Sequence, residues 1–251
     1  MFAIVGFLAQ LVDGALGMAY GLISTTVLLA FGILPATASA SVHVAEMFTT
    51  AASGAAHIAH RNVDFRTLAR LAPAGGGGGA LGVYVVTGID GAIIRPFVVA
   101  YLGLMGLLVL YRAVNPVPPK VFSTRYAATL GTIGGFSDAI GGGGWGPMVS
   151  STLMASGGEP RYVIGTVNTA EFLVTTSISA AFIWALLSGH WEAEGTLLDH
   201  AGPVVGLIIG GIMAAPVSGL IVKRVSAKRL SVSVGLLVLT LCLYQGWQLV
   251  G

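Results

Sequence analysis

Two glutamates stand where an ionised side chain is expensive. Glu46 and Glu171 lie inside long apolar stretches with no Lys or Arg within ten positions, except Arg161. An uncompensated acid at membrane depth costs roughly 2.5 kcal/mol or more on insertion scales, so it persists where it has a role. A carboxylate that takes up a proton sheds that cost, which makes both residues candidates for proton coupling. Around Glu46, the residues Ser39, His43, Thr50, Ser53 and His57 recur at helical spacing. At 100° per residue all six fall within about 80° of arc. Asn168, Thr175 and Ser179 form the matching stripe around Glu171, with Asn168 in the place of His43. Such stripes face the interior of a helix bundle or a watery cavity. For Ser39, Ser53 and Thr175 the plainer role is interhelical hydrogen bonding. His43 has a further use, because an imidazole can donate to an anion or carry a proton near neutral pH.

A second kind of chemistry belongs to glycine-rich breaks. Asp13-Gly14-Ala15-Leu16-Gly17-Met18-Ala19-Tyr20-Gly21 and Asp138-Ala139-Ile140-Gly141-Gly142-Gly143-Gly144-Trp145-Gly146 interrupt apolar sequence. Unwound glycines can aim several backbone N–H groups at one spot, and a half-helix N-terminus adds partial positive charge. A small oxyanion would suit such a place without any lysine or arginine. Gly17, Tyr20, Gly21, His43, Gly142, Gly143, Gly144, Trp145, Gly146 and Asn168 are therefore the candidate substrate contacts. Tyr20 and Trp145 have packing or interfacial anchoring as the alternative. Asp13 and Asp138 are expected to be structural, capping the free N–H groups around the glycines.

These residues are positioned by a duplication. An offset of 125 residues carries Asp13 onto Asp138, Pro35 onto Pro160, Val42 onto Val167, Glu46 onto Glu171 and Thr50 onto Thr175. The match runs without a gap for about forty residues, the signature of a repeat architecture. Residues 1–115 form the first repeat, 116–125 a linker and 126–251 the second. Charged residues are 9% of the chain and hydrophobic residues 55%, with a mean hydropathy of +0.88. Roughly a quarter of a soluble protein is charged, so most of this surface faces lipid. Six stretches have the length of a crossing (37–60, 67–88, 93–112, 161–186, 202–222 and 229–249). Two more, 1–33 and 126–157, are each interrupted near the middle by the acid and glycines. The unbroken run Gly75 to Gly79 continues into apolar sequence and reads as a tightly packed helix.

Loop charge sets the topology. Arg61, Arg66 and Arg70, then Arg112, Lys120 and Arg125, then Lys223, Arg224, Lys228 and Arg229 form three basic groups. The 188–200 segment holds Glu192, Glu194 and Asp199 without a cation. Lys and Arg favour the cytoplasm. The groups agree if each broken stretch enters and leaves on one side, as a re-entrant hairpin. Three crossings plus one hairpin per repeat make the second copy inverted. Arg95, in the expected outer loop, dissents, and eight ordinary spans remain the alternative.

Several classes lack support. Cys242 is the only cysteine, so no internal disulfide or cysteine metal cluster forms, and no His-Glu-x-x-His spacing suggests a metal. No Gly-Lys-Ser/Thr follows the glycine run, and no nucleophile elbow or catalytic constellation is present. Cations are scattered, which gives nucleic-acid binding no footing. No cofactor is implied. The N-terminus has no basic flank, so it is expected to be retained rather than cleaved.

The duplicated stretch, with Gly134-Gly135-Phe136-Ser137-Asp138-Ala139-Ile140-Gly141-Gly142-Gly143-Gly144-Trp145-Gly146-Pro147 ahead of a Pro-led helix bearing Asn168 and Glu171, resembles the sulfite exporter TauE/SafE family of small bacterial permeases. The first copy departs from the motif, since Leu16, Met18 and Ala19 replace three glycines. The resemblance implies an all-α, multi-pass protein of the bacterial inner membrane that moves sulfite, organosulfonates or related anions, with export the expected direction. Combined with the residues, it gives a proton-coupled secondary transporter made of two inverted repeats. Its partners are a small anionic substrate, protons and the lipid bilayer, and a homo-oligomer is compatible with it. A passive anion channel and a non-transporting assembly subunit are the alternatives.

Overall fold

A computed structural model describes residues 1–115, 126–191, 201–222 and 226–250. The linker 116–125, the acidic residues Glu192, Glu194 and Asp199, His200, and Lys223 and Arg224 lie outside the described residues. Every element described is helical. The first stretch folds as α1 (Phe2–Leu16) and α2 (Tyr20–Ala30), followed by α3 (Pro35–Ala59), α4 (Phe65–Thr87) and α5 (Gly91–Val114). The second repeats the order with α6 (Ala127–Gly141), a π-wound turn over Gly146–Ser150 running into α7 (Ser151–Ala155), then α8 (Pro160–Leu187), α9 (Ala201–Val222) and α10 (Ala227–Val250).

Local chemistry accounts for the boundaries. Pro35 and Pro160 open α3 and α8 at the first turn, where a missing N–H costs nothing. Asp64 and Asp90 cap α4 and α5 by accepting from the N–H groups of Arg66 and Ala92. Gly17 and Gly142 end α1 and α6 in the left-handed conformation, with φ of 66° and 61°, where a side chain would be strained. At ~1.5 Å per residue, α1 and α2 are each too short for a ~30 Å hydrocarbon layer. Among the described residues, three helices are long and apolar enough by themselves to cross a membrane: Gly91–Val114, Pro160–Leu187 and Lys228–Leu249. The expected crossings in α3 and α4 have the length but less hydropathy, because α3 carries the polar stripe and α4 begins with Arg66 and Arg70. Apolar side chains fill the exposed faces as well as the core: Phe97, Leu187 and Leu243 are all more than 70% exposed. That is the surface of a protein solvated by lipid.

Packing is reciprocal between the halves. α4 lies along α6, and its counterpart α9 lies along α1. α3 packs on its own counterpart α8, and α5 on α10. Both self-equivalent pairs run antiparallel. Gly54 faces Thr169 while Gly165 faces Asn62, and Gly103 faces Cys242 while Gly106 faces Val238. At the shared end of α3 and α8, Arg161 donates to Asn62 Oδ1 and to the His60 carbonyl. Arg95 sits in the second turn of α5 and donates to the Leu29 carbonyl at the end of α2. Its place is thus explained by the negative end of a half-helix rather than by loop topology.

The glycine run in α4 is a contact surface, as its sequence suggests. A Cβ on Gly78 would strike the Thr132 carbonyl of α6, and one on Gly75 would come 2.7 Å from the Trp145 ring. Gly77 points outward, and a Cβ there would meet nothing among the described residues within 4 Å. Gly77→Ala is therefore expected to leave stability unchanged or raise it by about 0.5–1 kcal/mol through helix propensity. Gly78→Ala should instead lower the melting temperature of the detergent-solubilised protein by several degrees. Equal behaviour of the two variants would overturn this packing.

Candidate functional site at the meeting of two helix breaks

The two breaks touch. Gly21 is bare because the Gly142 carbonyl and Glu46 Oε1 lie 2.6 and 2.7 Å from where its Cβ would be. Gly146, its counterpart, is bare because Met18 lies there. Thr25 Oγ1 donates to the Gly142 carbonyl at 2.6 Å, and Ser150 Oγ donates to the Gly17 carbonyl at 3.2 Å. Thr25 and Ser150 are related by the same offset of 125, as are Gly17 and Gly142. Each half thus places a hydroxyl from just beyond its own break onto the left-handed glycine of the other. Sequence reasoning passed over this pair. The signal was a hydroxyl kept at equivalent positions.

Each break is wound around its acid. Asp13 Oδ1 accepts from the N–H groups of Ala19 and Tyr20 at 2.8 and 3.2 Å. Asp138 Oδ1 accepts from Gly144 and Trp145 at 2.7 and 2.9 Å. The structural role expected of the two aspartates matches this geometry. It also means that two of the N–H groups offered to a substrate along 142–146, those of Gly144 and Trp145, are turned onto Asp138. The halves differ after the break: α2 is a regular helix, whereas Gly146–Ser150 is π-wound. Such widened turns are frequent at functional sites.

The aromatic pair is buried in helix contacts. Tyr20 donates its hydroxyl to the Leu207 carbonyl of α9, and Trp145, fully buried, donates Nε1 to the Val167 carbonyl of α8. The polar stripes face inward as expected: Ser39, His43, Glu46 and Thr50, and Asn168, Glu171, Thr175 and Ser179, are all buried. Glu46 and Glu171 are buried together with Asp13 and Asp138 around the meeting of the breaks. Glu46 Oε2 is buried without a hydrogen-bond partner among the described residues, an exception in a folded protein, where buried polar atoms are paired.

His43 joins the halves. Its Nε2 lies 3.2 Å from Asp138 Oδ2, and its Nδ1 lies 2.7 Å from the Ser39 carbonyl. His43, Glu46 and Asp138 bring one nitrogen and two carboxylates within 4.8 Å of one another. Donors of these types can hold a cation. Here, however, Asp138 has both oxygens engaged in hydrogen bonds, whereas Glu46 Oε2 has no partner.

A cavity of about 530 Å³ reaches the first break from the end of the molecule that carries Arg112 and Lys228, touching Leu16, Met18, Ser151 and Ile164. The equivalents of Ser151 and Ile164 at the other end, Thr26 and Ser39, are fully buried. Among the described residues, the breaks are thus approached from the Arg112 and Lys228 end, while Thr26 and Ser39 are covered.

Comparison with known proteins agrees with this architecture. The family model described as sulfite exporter TauE/SafE matches residues 2–245. The chain is 43% identical over 242 residues to a protein of Bacillus subtilis (strain 168) named probable membrane transporter protein YtnM, covering 94% of this chain and 78% of that one. No solved structure matches. A multi-pass helical chain matched by this family over nearly its whole length belongs to the TauE/SafE family of membrane transporters.

Proposed function

We propose that the protein is a proton-coupled secondary transporter of sulfite or a related sulfur oxyanion or organosulfonate in the bacterial inner membrane, with export the direction the family name favours. Its halves would sit in the membrane as inverted repeats. The antiparallel packing of α3 on α8 and of α5 on α10 supports that reading, as does the exchange of α1–α9 for α6–α4 contacts. Such a two-fold lets one scaffold open to either side in turn.

The observation that carries the proposal is the meeting of two broken helices amid four buried acids. An anion cannot enter beside ionised Glu46 and Glu171, because like charges in a poorly solvated site repel strongly. It can enter when each takes up a proton. Anion and proton then occupy the site together, and this gives coupling without a cation fixed in the bundle. The substrate would reach the breaks through the cavity at the Arg112 and Lys228 end, where the two cations attract an anion. Gly142, Gly143 and Gly146, together with His43 and Asn168, would contact it as the two breaks part.

Proteoliposomes loaded with radiolabelled sulfite, with and without an imposed pH gradient, test this. Wild type should move sulfite faster with the gradient. Glu46→Gln and Glu171→Gln should transport down the sulfite gradient but lose the response to pH. If Glu171→Gln stays gradient-dependent, its coupling role is wrong. Flux that follows only the anion's own electrochemical gradient would instead indicate a channel.

A further inference from the structure

The bonds around His43 count protons. Ser39 Oγ donates its only hydrogen to the Ala139 carbonyl at 2.6 Å, so toward His43 it can act only as an acceptor. The Ser39 carbonyl, 2.7 Å from Nδ1, is also an acceptor. Two acceptors facing Nδ1 require a hydrogen on it. Nε2 then faces the Asp138 carboxylate at 3.2 Å. A bare ring nitrogen and an ionised carboxylate would repel at that distance. The contact forms only when a second hydrogen lies between them, either on Nε2, giving an imidazolium–carboxylate pair, or on Oδ2, giving a neutral pair. Both arrangements hold the same number of protons.

We propose that His43 and Asp138 are the seat of one dissociable proton, and that this proton closes the contact between α3 of the first half and α6 of the second. The proposal rests on the coupling role given above to Glu46 and adds a site to it. Glu46 lies within 4.8 Å of the pair, and its unpartnered Oε2 is the natural next stop for the proton. When the proton leaves, His43 keeps its Nδ1 hydrogen on Ser39 while Nε2 and Asp138 repel, so the contact between the halves opens. Among the described residues the device exists once. At the place of His43 the second half has Asn168, whose amide takes no proton near neutral pH.

The charged and titratable neighbours are few. α3 itself brings Glu46, α8 brings Glu171, and α1 brings Asp13, all buried. α2 brings Tyr20, beside Glu46 and Asp13, and α5 brings Tyr101, beside Asp138. α4 has Arg66, Arg70 and Tyr84 toward its two ends, with Tyr84 stacked on His190, and α9 has no ionisable residue. Among the described residues of these elements no cation other than a protonated His43 faces Asp138 Oδ2, so beyond the two N–H groups on Oδ1 it is the pair's proton that balances the aspartate.

The test is nitrogen NMR of a variant that keeps His43 as its only histidine (His57, His60, His190 and His200 each changed to Gln), labelled on the imidazole and held in nanodiscs. A hydrogen on Nδ1, with Nε2 either protonated as well or accepting from a carboxylic acid, is the expected result. As the pH rises, the imidazole signal and the carboxyl infrared band lost in Asp138→Asn should change in one step. A neutral ring with its hydrogen on Nε2 beside an ionised carboxylate would overturn the proposal, because such a pair has no proton to give. In proteoliposomes, His43→Asn copies the residue of the second half and should fold. The ratio of its sulfite accumulation driven by a pH gradient to its own downhill flux should fall at least about fivefold, the scale of a typical coupling energy, whatever its downhill flux becomes. Accumulation equal to wild type would also overturn the proposal. If wild type itself shows no response to the gradient, the transport reading fails, and the spectroscopy still decides whether the pair holds its proton.

Discussion

Gly143→Ala is expected to reduce sulfite transport to near background and to lower the melting temperature, although it adds a single methyl group. Gly143 lies on the backbone of Leu22, with the position of an added Cβ 2.5 Å from the Leu22 Cα. Backbone cannot rotate away as a side chain can, so the two breaks must separate. Overpacking of this kind costs about 1–3 kcal/mol, and the strain falls on the one contact where the halves meet around their acids. Gly17→Ala supplies the comparison. A Cβ at Gly17 comes 3.2 Å from the Ile164 side chain, which can shift, and the added cost is left-handed strain of about 1–2 kcal/mol. Gly17→Ala should therefore lose some stability and keep measurable transport. The duplication sharpens the prediction, because the counterpart of Gly143 is Met18, a residue with a long side chain. The breaks are unequal, and only the second must be bare at this place. Wild-type flux in Gly143→Ala would mean that the contact between the breaks does not matter to the transport cycle.

Much of this was legible in the chain. The broken stretches were marked by Asp13 and Asp138 with their glycines, and the structure interrupts the helices at Gly17–Ala19 and Gly142–Gly144. The long helices were legible because apolar runs of that length have few other uses, and the inward stripes because a helix sorts its faces by period. The burial of Ser39, His43, Glu46 and Thr50 follows that sorting, and it weakens toward Ser53 and His57, which are half-buried as α3 nears its end.

What joins the halves was not legible. The hydroxyl of Thr25 on Gly142 and that of Ser150 on Gly17 span more than a hundred residues of sequence, and no local pattern encodes such a pairing. The same holds for His43 and Asp138. Each had a plausible separate role, one toward a substrate and one as a cap, and only the fold brings them to 3.2 Å of each other. The glycines carried a similar ambiguity. Read alone, four in a row offer free N–H groups. In the fold, Gly144 and Trp145 spend theirs on Asp138, while Gly21, Gly143 and Gly146 are bare so that one backbone can lie against another.

Asp138→Ala is expected to be the most damaging single change in the protein, and Asp138→Asn to separate the reasons why. The alanine variant orphans the N–H groups of Gly144 and Trp145 and leaves His43 facing a void. A buried donor without a partner costs about 1–3 kcal/mol, so the loss exceeds roughly 3 kcal/mol, a large share of a typical folding free energy. Asp138→Ala should fail to accumulate as folded protein, judged by size-exclusion chromatography of a fluorescent fusion. Asp13→Ala also orphans two N–H groups, those of Ala19 and Tyr20, and should be impaired but less so, since Asn168 stands where the first half has His43. Asp138→Asn keeps a carbonyl oxygen for Gly144 and Trp145 and turns an amide toward Nε2 of His43, which accepts from it. It should fold close to normally and yet have no proton to exchange. A folded Asp138→Ala would show that the break holds its shape without the carboxylate. A fully pH-responsive Asp138→Asn would show that the carboxylate's role ends with shape. The predicted order of folded yield, with Asn above the Asp13 variant and the Asp138 alanine last, thus separates the cap from the proton.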